Sequence, residues 1–221
     1  RRWGQMALWF ECVPLAAELQ RQRLEHLLAK PLPSTGSSKR RRQPPPLGQL
    51  DALPALCAVL RPLQAAGITP FLAYGTLLGA IREGDFLAHD LDLDLGILAE
   101  QADADRLRAL LRHAPELRLS WECRLRPRAS LVKLVHQSGI SVDLVLFERQ
   151  GDHFLTRILR HGYALPRRRQ AFGLRPLIFR GLEVAVPDPP EVFLAEQYGD
   201  WQRPCANYHF VLSSQIAVPY D

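Results

Sequence analysis

The chain has 221 residues and a mass of 25.0 kDa, and 47% of its residues are hydrophobic, so it can bury one substantial core. Its 28 Lys and Arg against 23 Asp and Glu give a formal charge of +5. This modest excess suits an anionic partner such as a nucleotide, a polyphosphate or a membrane surface. It does not single out nucleic acid, which we do not expect as a partner.

The cysteines indicate a reducing compartment, and the apolar runs do not predict a membrane span. The cysteines have neither CxxC nor zinc-ligand spacing and are predicted to be buried free thiols: Cys12, Cys57, Cys123 and Cys205. No apolar run approaches the roughly 20 residues needed to cross a bilayer, and MALWFECVPLAAEL is a poor signal peptide. We expect a cytoplasmic location, with membrane association as an alternative. Because the sequence begins with Arg1, a missing anchor, and with it a Golgi lumen location in a eukaryote, stays open.

The first 48 residues predict a helical segment and a linker. Leucines near helical spacing favour an N-terminal helical segment over residues 1–30. Residues 31–48, PLPSTGSSKRRRQPPPLG, are rich in Pro, Ser and Arg and predict a flexible linker, because such a composition cannot bury a core. The basic run from Lys39 to Arg42 is typical of a solvated tether, and a peripheral contact with acidic lipid headgroups is the alternative.

Residues 49–205 predict one compact α/β (α+β) domain, and residues 206–221 a C-terminal tail. A helix over 49–66 is expected to end at Gly67, and ITPFLAY then predicts a buried strand. A glycine turn precedes a short helix, TLLGAIRE, and the loop EGDFLAH leads to HDLDLDLG. The later predicted elements are a helix over 101–113, three strand-like runs (LRLSWECRLR, SLVKLVHQ and ISVDLVLFE), a basic irregular region, a hairpin around IFRGLEVAVP and a helix beginning at Pro189 and Pro190.

The stretch HDLDLDLG, residues 89–96, alternates three aspartates with three leucines. Successive side chains of a strand point to opposite faces, so Asp90, Asp92 and Asp94 are predicted to share one face. Carboxylates two residues apart on a strand lie roughly 6.5–7 Å apart, and they repel each other unless a cation is present. The pattern therefore predicts a site for a hard cation, Mg²⁺ or Mn²⁺.

A calcium loop is the main alternative for this stretch, and the sequence excludes it. An EF-hand that begins at Asp90 requires glycine at its sixth position and glutamate at its twelfth. Those positions hold Leu95 and Gln101.

A third carboxylate supports the metal site. In ISVDLVLFE, Val142, Leu144 and Leu146 alternate with a second face that carries Asp143. An aspartate inside such a strand is costly to bury unless it is paired or bound to a metal. If this strand lies beside HDLDLDLG, Asp143 faces the first carboxylates across the sheet. A water-facing residue of an edge strand is the alternative.

A strand-to-helix turn upstream has the features of a phosphate site. Backbone N–H groups at a helix start near Gly75 attract phosphate, and the Thr76 hydroxyl adds a further polar group. Arg82 can make a forked contact with phosphate oxygens. Many other strand-to-helix turns look alike, so this pattern is weak evidence by itself.

Taken together, YGTLLGAIREGDFLAHDLDLDLGI, residues 74–97, resembles the LicD/fukutin family, whose usual stretch is similar to GSLLGAxRHxGFIPWDxDxDxG. ISVDLVLFE and VPDPPEVFLAEQYGDW (186–201) resemble its third-aspartate strand and its C-terminal proline-led helix. The resemblance implies a polymerase-β-like nucleotidyltransferase fold, with a mixed sheet flanked by helices. It also implies a phosphotransferase that moves a phosphorylated alcohol, such as phosphocholine or ribitol phosphate, from a CDP-linked donor to a glycan or glycolipid hydroxyl.

The resemblance also implies site residues by position. Asp92 and Asp94 match the family's metal-binding pair and Asp143 its third carboxylate, so all three are expected to be catalytic and to bind Mg²⁺ or Mn²⁺. Gly75 and Thr76 match the family's glycine–serine turn and Arg82 its arginine, and these residues are expected around the donor. Asp90 and His89, at the mouth of the site, are expected there too.

The chain departs from the family pattern at three places. Ala88-His89 stands where the family usually has Pro-Trp, and Leu91 replaces a residue that is often polar. The segment between Asp143 and Val186 is also short.

Two rival functions stay open. One is a nucleotidyltransferase that adds a nucleoside monophosphate to a small molecule, and the other is a non-catalytic nucleotide-binding relative.

Two groups of arginines each allow two interpretations. Arg124, Arg126 and Arg128 favour either an anionic acceptor or a solvated strand face, and Arg167 to Arg169 either contact diphosphate or decorate a loop.

Overall fold

The computed structural model describes residues 46–123, 131–160 and 163–205. The predicted N-terminal helical segment, the basic run of the linker and the predicted C-terminal tail lie outside these ranges, and so do Arg124, Arg126 and Arg128. Within the described ranges, no helix combines the length and the apolar character that crossing a membrane requires.

The described residues form a short 3-10 turn at Leu47–Gln49, four α-helices and nine strands. The helices are α1 (Leu53–Ala65), α2 (Tyr74–Arg82), α3 (Ala104–Leu111) and α4 (Pro190–Tyr198). The strands are β1 (Phe71–Leu72), β2 (Asp92–Leu98), β3 (Leu117–Cys123), β4 (Leu131–His136), β5 (Ser141–Gln150), β6 (His153–Arg160), β7 (Tyr163–Gln170), β8 (Gly173–Phe179) and β9 (Leu182–Asp188).

The strands form one mixed sheet. Its order is β3-β4-β5-β2-β1-β9-β8, and the hairpin of β6 and β7 is joined to it through β5. β2 runs parallel to β5 and β1 runs parallel to β9, whereas the other neighbouring pairs are antiparallel. The predicted α/β architecture with a mixed sheet and flanking helices is confirmed.

The hydrophobic core lies behind the face that carries the aspartates. Leu93 and Leu95 of β2, with Val142 and Leu144 of β5, are fully buried. The residues that alternate with them are only partly buried, and they include Asp92, Asp94 and Asp143. Burial of each such apolar side chain contributes roughly 1.5–3 kcal/mol. The leucines and valines therefore decide which face of the sheet carries the carboxylates.

Several boundaries differ from the prediction. α1 begins at Leu53 rather than near residue 49, because the Asp51 side chain accepts the Leu53 N–H at 3.1 Å and Pro54 fits a first helical turn. The strand predicted over ITPFLAY is reduced to Phe71–Leu72, since α2 begins at Tyr74. Leu47, assigned to the linker, is buried in the core.

The prediction that Asp90 lies on the aspartate strand is wrong. β2 begins at Asp92. Asp90 belongs to a turn, in which its N–H donates to Leu87 O at 3.0 Å and its carbonyl accepts the Leu47 N–H at 2.7 Å. These hydrogen bonds use the backbone groups that a sheet partner would otherwise bind.

The basic region after residue 150 is the largest correction, because it forms the β6–β7 hairpin instead of irregular structure. Arg168 is exposed, whereas its two neighbours point inward and are each 2% exposed. We call these two, Arg167 and Arg169, the arginine pair. Both donate to Gln197 Oε1 of α4, at 3.3 and 3.2 Å, so the interpretation as a loop decoration is wrong for the pair.

Other elements agree with the sequence. The hairpin around IFRGLEVAVP is confirmed as β8 and β9, and the proline-led helix is confirmed as α4. Cys57 and Cys205 are free thiols, but Cys57 is only partly buried and Cys205 is exposed.

Candidate active site

Three charged side chains lie in one row across three adjacent strands. β2 and β5 are parallel neighbours in the register that pairs Asp94 with Asp143. β5 and β4 are antiparallel in the register that pairs Asp143 with Lys133. Asp92 stands two residues before Asp94 and therefore shares its face of the sheet. The structure thus brings together the three carboxylates that the sequence singles out, and it adds a lysine.

Lys133 contacts two of these carboxylates. Its Nζ lies 2.9 Å from Asp143 Oδ1 and donates to Asp143 Oδ2 at 3.0 Å, and it lies 3.6 Å from Asp92 Oδ2. Because Lys133 Nζ contacts both, an oxygen of Asp92 and an oxygen of Asp143 lie no further apart than the sum of their two distances to Nζ. The sequence reasoning missed Lys133. The available signal was a lone lysine in the apolar strand SLVKLVHQ, since no other lysine follows residue 39.

The start of α2 holds Asp94 in place. The Gly75 N–H donates to Asp94 Oδ2 at 3.1 Å, and Thr76 Oγ1 accepts the Asp94 N–H at 2.8 Å. Thr76 is buried, and the Ala73 N–H donates to the Asp94 carbonyl at 3.1 Å. In this structure Gly75 and Thr76 therefore position a carboxylate. Their predicted contact with donor phosphate stays a prediction.

Asp90 reaches the same site from the turn before β2. A Cβ on Gly75 would collide with Asp90 Oδ2, and it would lie 3.4 Å from Asp94 Oδ2. The missing side chain of Gly75 therefore gives the Asp90 carboxylate its room. Asp90 Oδ1 accepts the Leu91 N–H at 3.0 Å, and His89 beside it is exposed. We call the group that meets here the acidic face: Asp90, Asp92, Asp94 and Asp143, with Lys133 among them.

Arg82 makes its contacts elsewhere. Its Nε donates to Glu83 Oε1 at 2.7 Å, and its Nη1 donates to the Trp201 carbonyl at 3.2 Å. The second bond ties the end of α2 to the chain after α4. A contact between Arg82 and phosphate stays a prediction.

Burial and mutual repulsion raise the pKa values on the acidic face. Burial is the largest cause for Asp94, whose pKa is raised well above its usual range, and the neighbouring carboxylates raise it further. Burial, followed by Asp92, raises the pKa of Asp90 to about 6. Burial also raises the pKa of Asp143 to about 6, although the Lys133 ammonium opposes this. The face therefore carries more negative charge than one lysine neutralises.

A divalent cation fits this set of donors. Among the described residues, no three His, Cys, Asp or Glu side chains form a ready-made metal site. Mg²⁺ seldom needs one, because it keeps several waters and binds through one or two carboxylates plus substrate phosphates. Asp92 and Asp94, two oxygen donors on one face of β2, fit that mode of binding.

The comparison with known families assigns the domain that carries this carboxylate row to the nucleotidyltransferase class. The family model "LicD/FKTN/FKRP, nucleotidyltransferase domain" matches residues 67–189. This range is more than half of the chain and contains the whole acidic face. The chain therefore belongs to the LicD/FKTN/FKRP family, as its sequence motifs predict, and it is a transferase.

Two solved structures show weak similarity to the chain. One is ANT(2")-Ia in complex with adenylyl-2"-tobramycin, with 13% identity and a TM-score of 0.45 over 76% of this chain and 88% of that chain. The other is the lincosamide antibiotic adenylyltransferase LnuA with lincomycin bound, with 13% identity and a TM-score of 0.41 over 62% of this chain and 82% of that chain. No significant match was found among curated proteins.

Proposed function

We propose that the chain is a metal-dependent phosphotransferase of the LicD type. It moves a phosphorylated alcohol, such as a phosphocholine- or ribitol-phosphate-like group, from a CDP-linked donor to a hydroxyl of a glycan or glycolipid. The observation that carries the proposal is the row of Asp94 and Asp143 across β2 and β5, with Asp92 on the same face, in a chain of this family.

Asp92 and Asp94 would hold Mg²⁺ or Mn²⁺, with Asp143 beside them as the third carboxylate. When bound, the ion supplies the positive charge that offsets the donor's diphosphate. The protein's own contribution is to fix these carboxylates. The Gly75 N–H and the Thr76 hydroxyl hold Asp94, and the sheet register sets Asp143 beside it. Phosphoryl-group transfer depends mainly on such positioning and on charge neutralisation.

The reaction forms one P–O bond and breaks another. The acceptor hydroxyl oxygen bonds to the phosphorus of the transferred group, the bond between that phosphorus and the bridging oxygen breaks, and CMP leaves. The hydroxyl proton passes to a carboxylate of the acidic face.

A metal ion held by Asp92 and Asp94 would offset the charge of the donor's phosphates, so we do not assign the choice of donor to it. We assign that choice to the loop with Ala88 and His89, which stands beside Asp90, and to the basic β6–β7 hairpin. We also propose a cytoplasmic location, with peripheral membrane contact through the basic run of the linker.

A thermal-shift screen tests the function. CDP-choline, CDP-ribitol, CDP-glycerol and the four NTPs are each added with and without Mg²⁺. We expect a CDP-alcohol to raise the melting temperature only when Mg²⁺ is present, because a ligand of the native state stabilises it. A shift with an NTP and with no CDP-alcohol would favour the nucleotidyltransferase alternative, for which pyrophosphate rather than CMP is the leaving group. No Mg²⁺-dependent shift with any nucleotide would contradict the proposed metal-dependent function.

A further inference from the structure

Lys133 places a positive charge against two carboxylates of the acidic face. Its ammonium contacts both oxygens of Asp143, at 2.9 and 3.0 Å, and it stands 3.6 Å from Asp92 Oδ2. The Lys133 side chain is 28% exposed and that of Asp143 is 15% exposed, so the pair is largely shielded from water. An ion pair shielded in this way is screened by salt much less than an exposed one.

The backbone holds Lys133 in this position. Lys133 and Asp143 are direct partners in the β4–β5 ladder, with Val132 paired to Leu144 and Leu134 paired to Val142 beside them. Those four flanking side chains are fully buried. A shift of β4 by one residue would move Val132 and Leu134 out of the core, so the register keeps the ammonium against Asp143.

The residue type is also selective. The chain has 28 basic residues but only three lysines, and Lys133 is the only one of them after residue 39. Arginine presents a broad planar fork, whereas lysine presents a compact point charge that resembles a small cation. In a chain that otherwise uses arginine, a lysine at this position indicates that compactness matters there.

We propose that Lys133 is the fixed second cation of the active site. It keeps Asp143 neutralised, so the site binds one divalent ion, at Asp92 and Asp94, where a site without the lysine would bind two. The inference rests on the proposed metal-dependent function. Its physical reason is repulsion, because a second ion ligated by Asp143 would come within a few ångströms of the ammonium.

Counting bound Mn²⁺ on the full chain tests this role. Free Mn²⁺ is measured by electron paramagnetic resonance during a titration of the protein with the metal alone. We expect one Mn²⁺ per chain for the wild type and two for Lys133→Gln, which removes the charge but keeps a polar side chain beside Asp143. Lys133→Arg, which keeps the charge but not the compact shape, is the matched control and should also bind one, because the positive charge is what excludes the second ion.

Thermal unfolding without metal and with Mn²⁺ provides a second measurement. Lys133→Gln should melt lower than the wild type in chelator, and Mn²⁺ should raise its melting temperature more than that of the wild type. If Lys133→Gln does not fold, Lys133→Met takes its place, since its apolar stem retains the packing of the lysine chain.

The outcomes separate the two proposals. Two ions on the wild type, or one ion of unchanged affinity on the charge-removing variant, overturns the role of Lys133 and leaves the metal-dependent function standing. No bound ion on either protein, in a titration repeated with CDP-choline present, overturns the metal-dependent function itself, and the role of Lys133 with it.

Discussion

The acidic face and the arginine pair are both groups of charged side chains in a small domain, but they are neutralised in different ways. The arginine pair is enclosed, because Arg169 stacks on the Phe193 ring at 3.6 Å, lies 3.8 Å from Glu196 Oε2 and shares Gln197 with Arg167. The acidic face is open to solvent at Asp92, whose side chain is 31% exposed, and it keeps an excess of negative charge.

The difference separates a structural cluster from a functional one. Buried charges whose partners come from the protein itself tie elements together, here the β6–β7 hairpin to α4. Carboxylates whose pKa values are raised, and which remain accessible, mark a site where a ligand completes the neutralisation. Substitutions in the first cluster should therefore change stability, and substitutions in the second should change activity and metal binding.

The largest effect is expected from Asp92→Asn. We expect CMP release to fall by roughly 100-fold or more, because the change removes a charge that holds the metal and the transition state, while the melting temperature in chelator stays the same or rises. The control is Asp152→Asn, an exposed carboxylate of the β5–β6 turn, which should keep full activity. Normal CMP release by Asp92→Asn, or full wild-type activity in chelator, would contradict the assignment of the acidic face as the active site.

The next effect concerns stability alone. Arg169→Ala removes one partner of a buried polar cluster, so the free energy of unfolding should fall by roughly 3–5 kcal/mol, as measured by denaturant titration. Mn²⁺ affinity of the folded variant should not change. Arg168→Ala on the same strand is the matched control, because Arg168 is exposed and its loss should change stability by no more than about 0.5 kcal/mol. If folded Arg169→Ala no longer bound Mn²⁺, the arginine pair would not be a purely structural cluster distinct from the acidic face.

A smaller effect is expected from Thr76→Val. The substitution keeps the shape of the side chain but removes the oxygen that accepts the Asp94 N–H. Losing such a support of a metal ligand typically costs about 10–100-fold in metal affinity or activity. Isothermal titration with Mn²⁺ measures the loss, and Thr76→Ser, which retains the hydroxyl, should restore most of the affinity. Equal Mn²⁺ affinities for Val and Ser at this position would show that the hydroxyl does not position Asp94.

The smallest effect is a pH dependence of the metal-free protein. The pKa of Asp90 and of Asp143 is about 6 in the folded chain, against an ordinary value of 3.8. Between these values the folded state binds more protons than the unfolded state, so this contribution to stability is complete below 3.8 and is lost as the pH rises through about 6. The melting temperature in chelator should therefore be higher at pH 5 than at pH 7.5.

The double variant Asp90→Asn/Asp143→Asn isolates this contribution. It lacks both titrating groups, so its melting temperature should change less over the same pH range. An identical pH profile for the wild type and the double variant would show that the two carboxylates are not perturbed by the acidic face.

Local patterns in the sequence determined the parts of the fold that depend on near neighbours. The period of two in HDLDLDLG and ISVDLVLFE placed the leucines and valines inward and Asp92, Asp94 and Asp143 on the other face. The proline pair determined the start of α4, and IFRGLEVAVP predicted the β8–β9 hairpin. The family motifs also predicted the three carboxylates together, before any distance between them was known.

Only the tertiary structure decided how distant segments align. The register that sets Asp94 beside Asp143 joins strands about fifty residues apart, and the period within each strand does not specify which residue of the partner it meets. For the same reason the sequence did not predict that Lys133 belongs to the site, because only the pairing of β4 with β5 brings it to Asp143. The turn that removes Asp90 from β2 depends on backbone bonds from Leu47 and to Leu87. The sequence left the arginines of β7 open between a diphosphate contact and a loop decoration, because their partners Phe193 and Gln197 come from a helix that the local sequence does not contain.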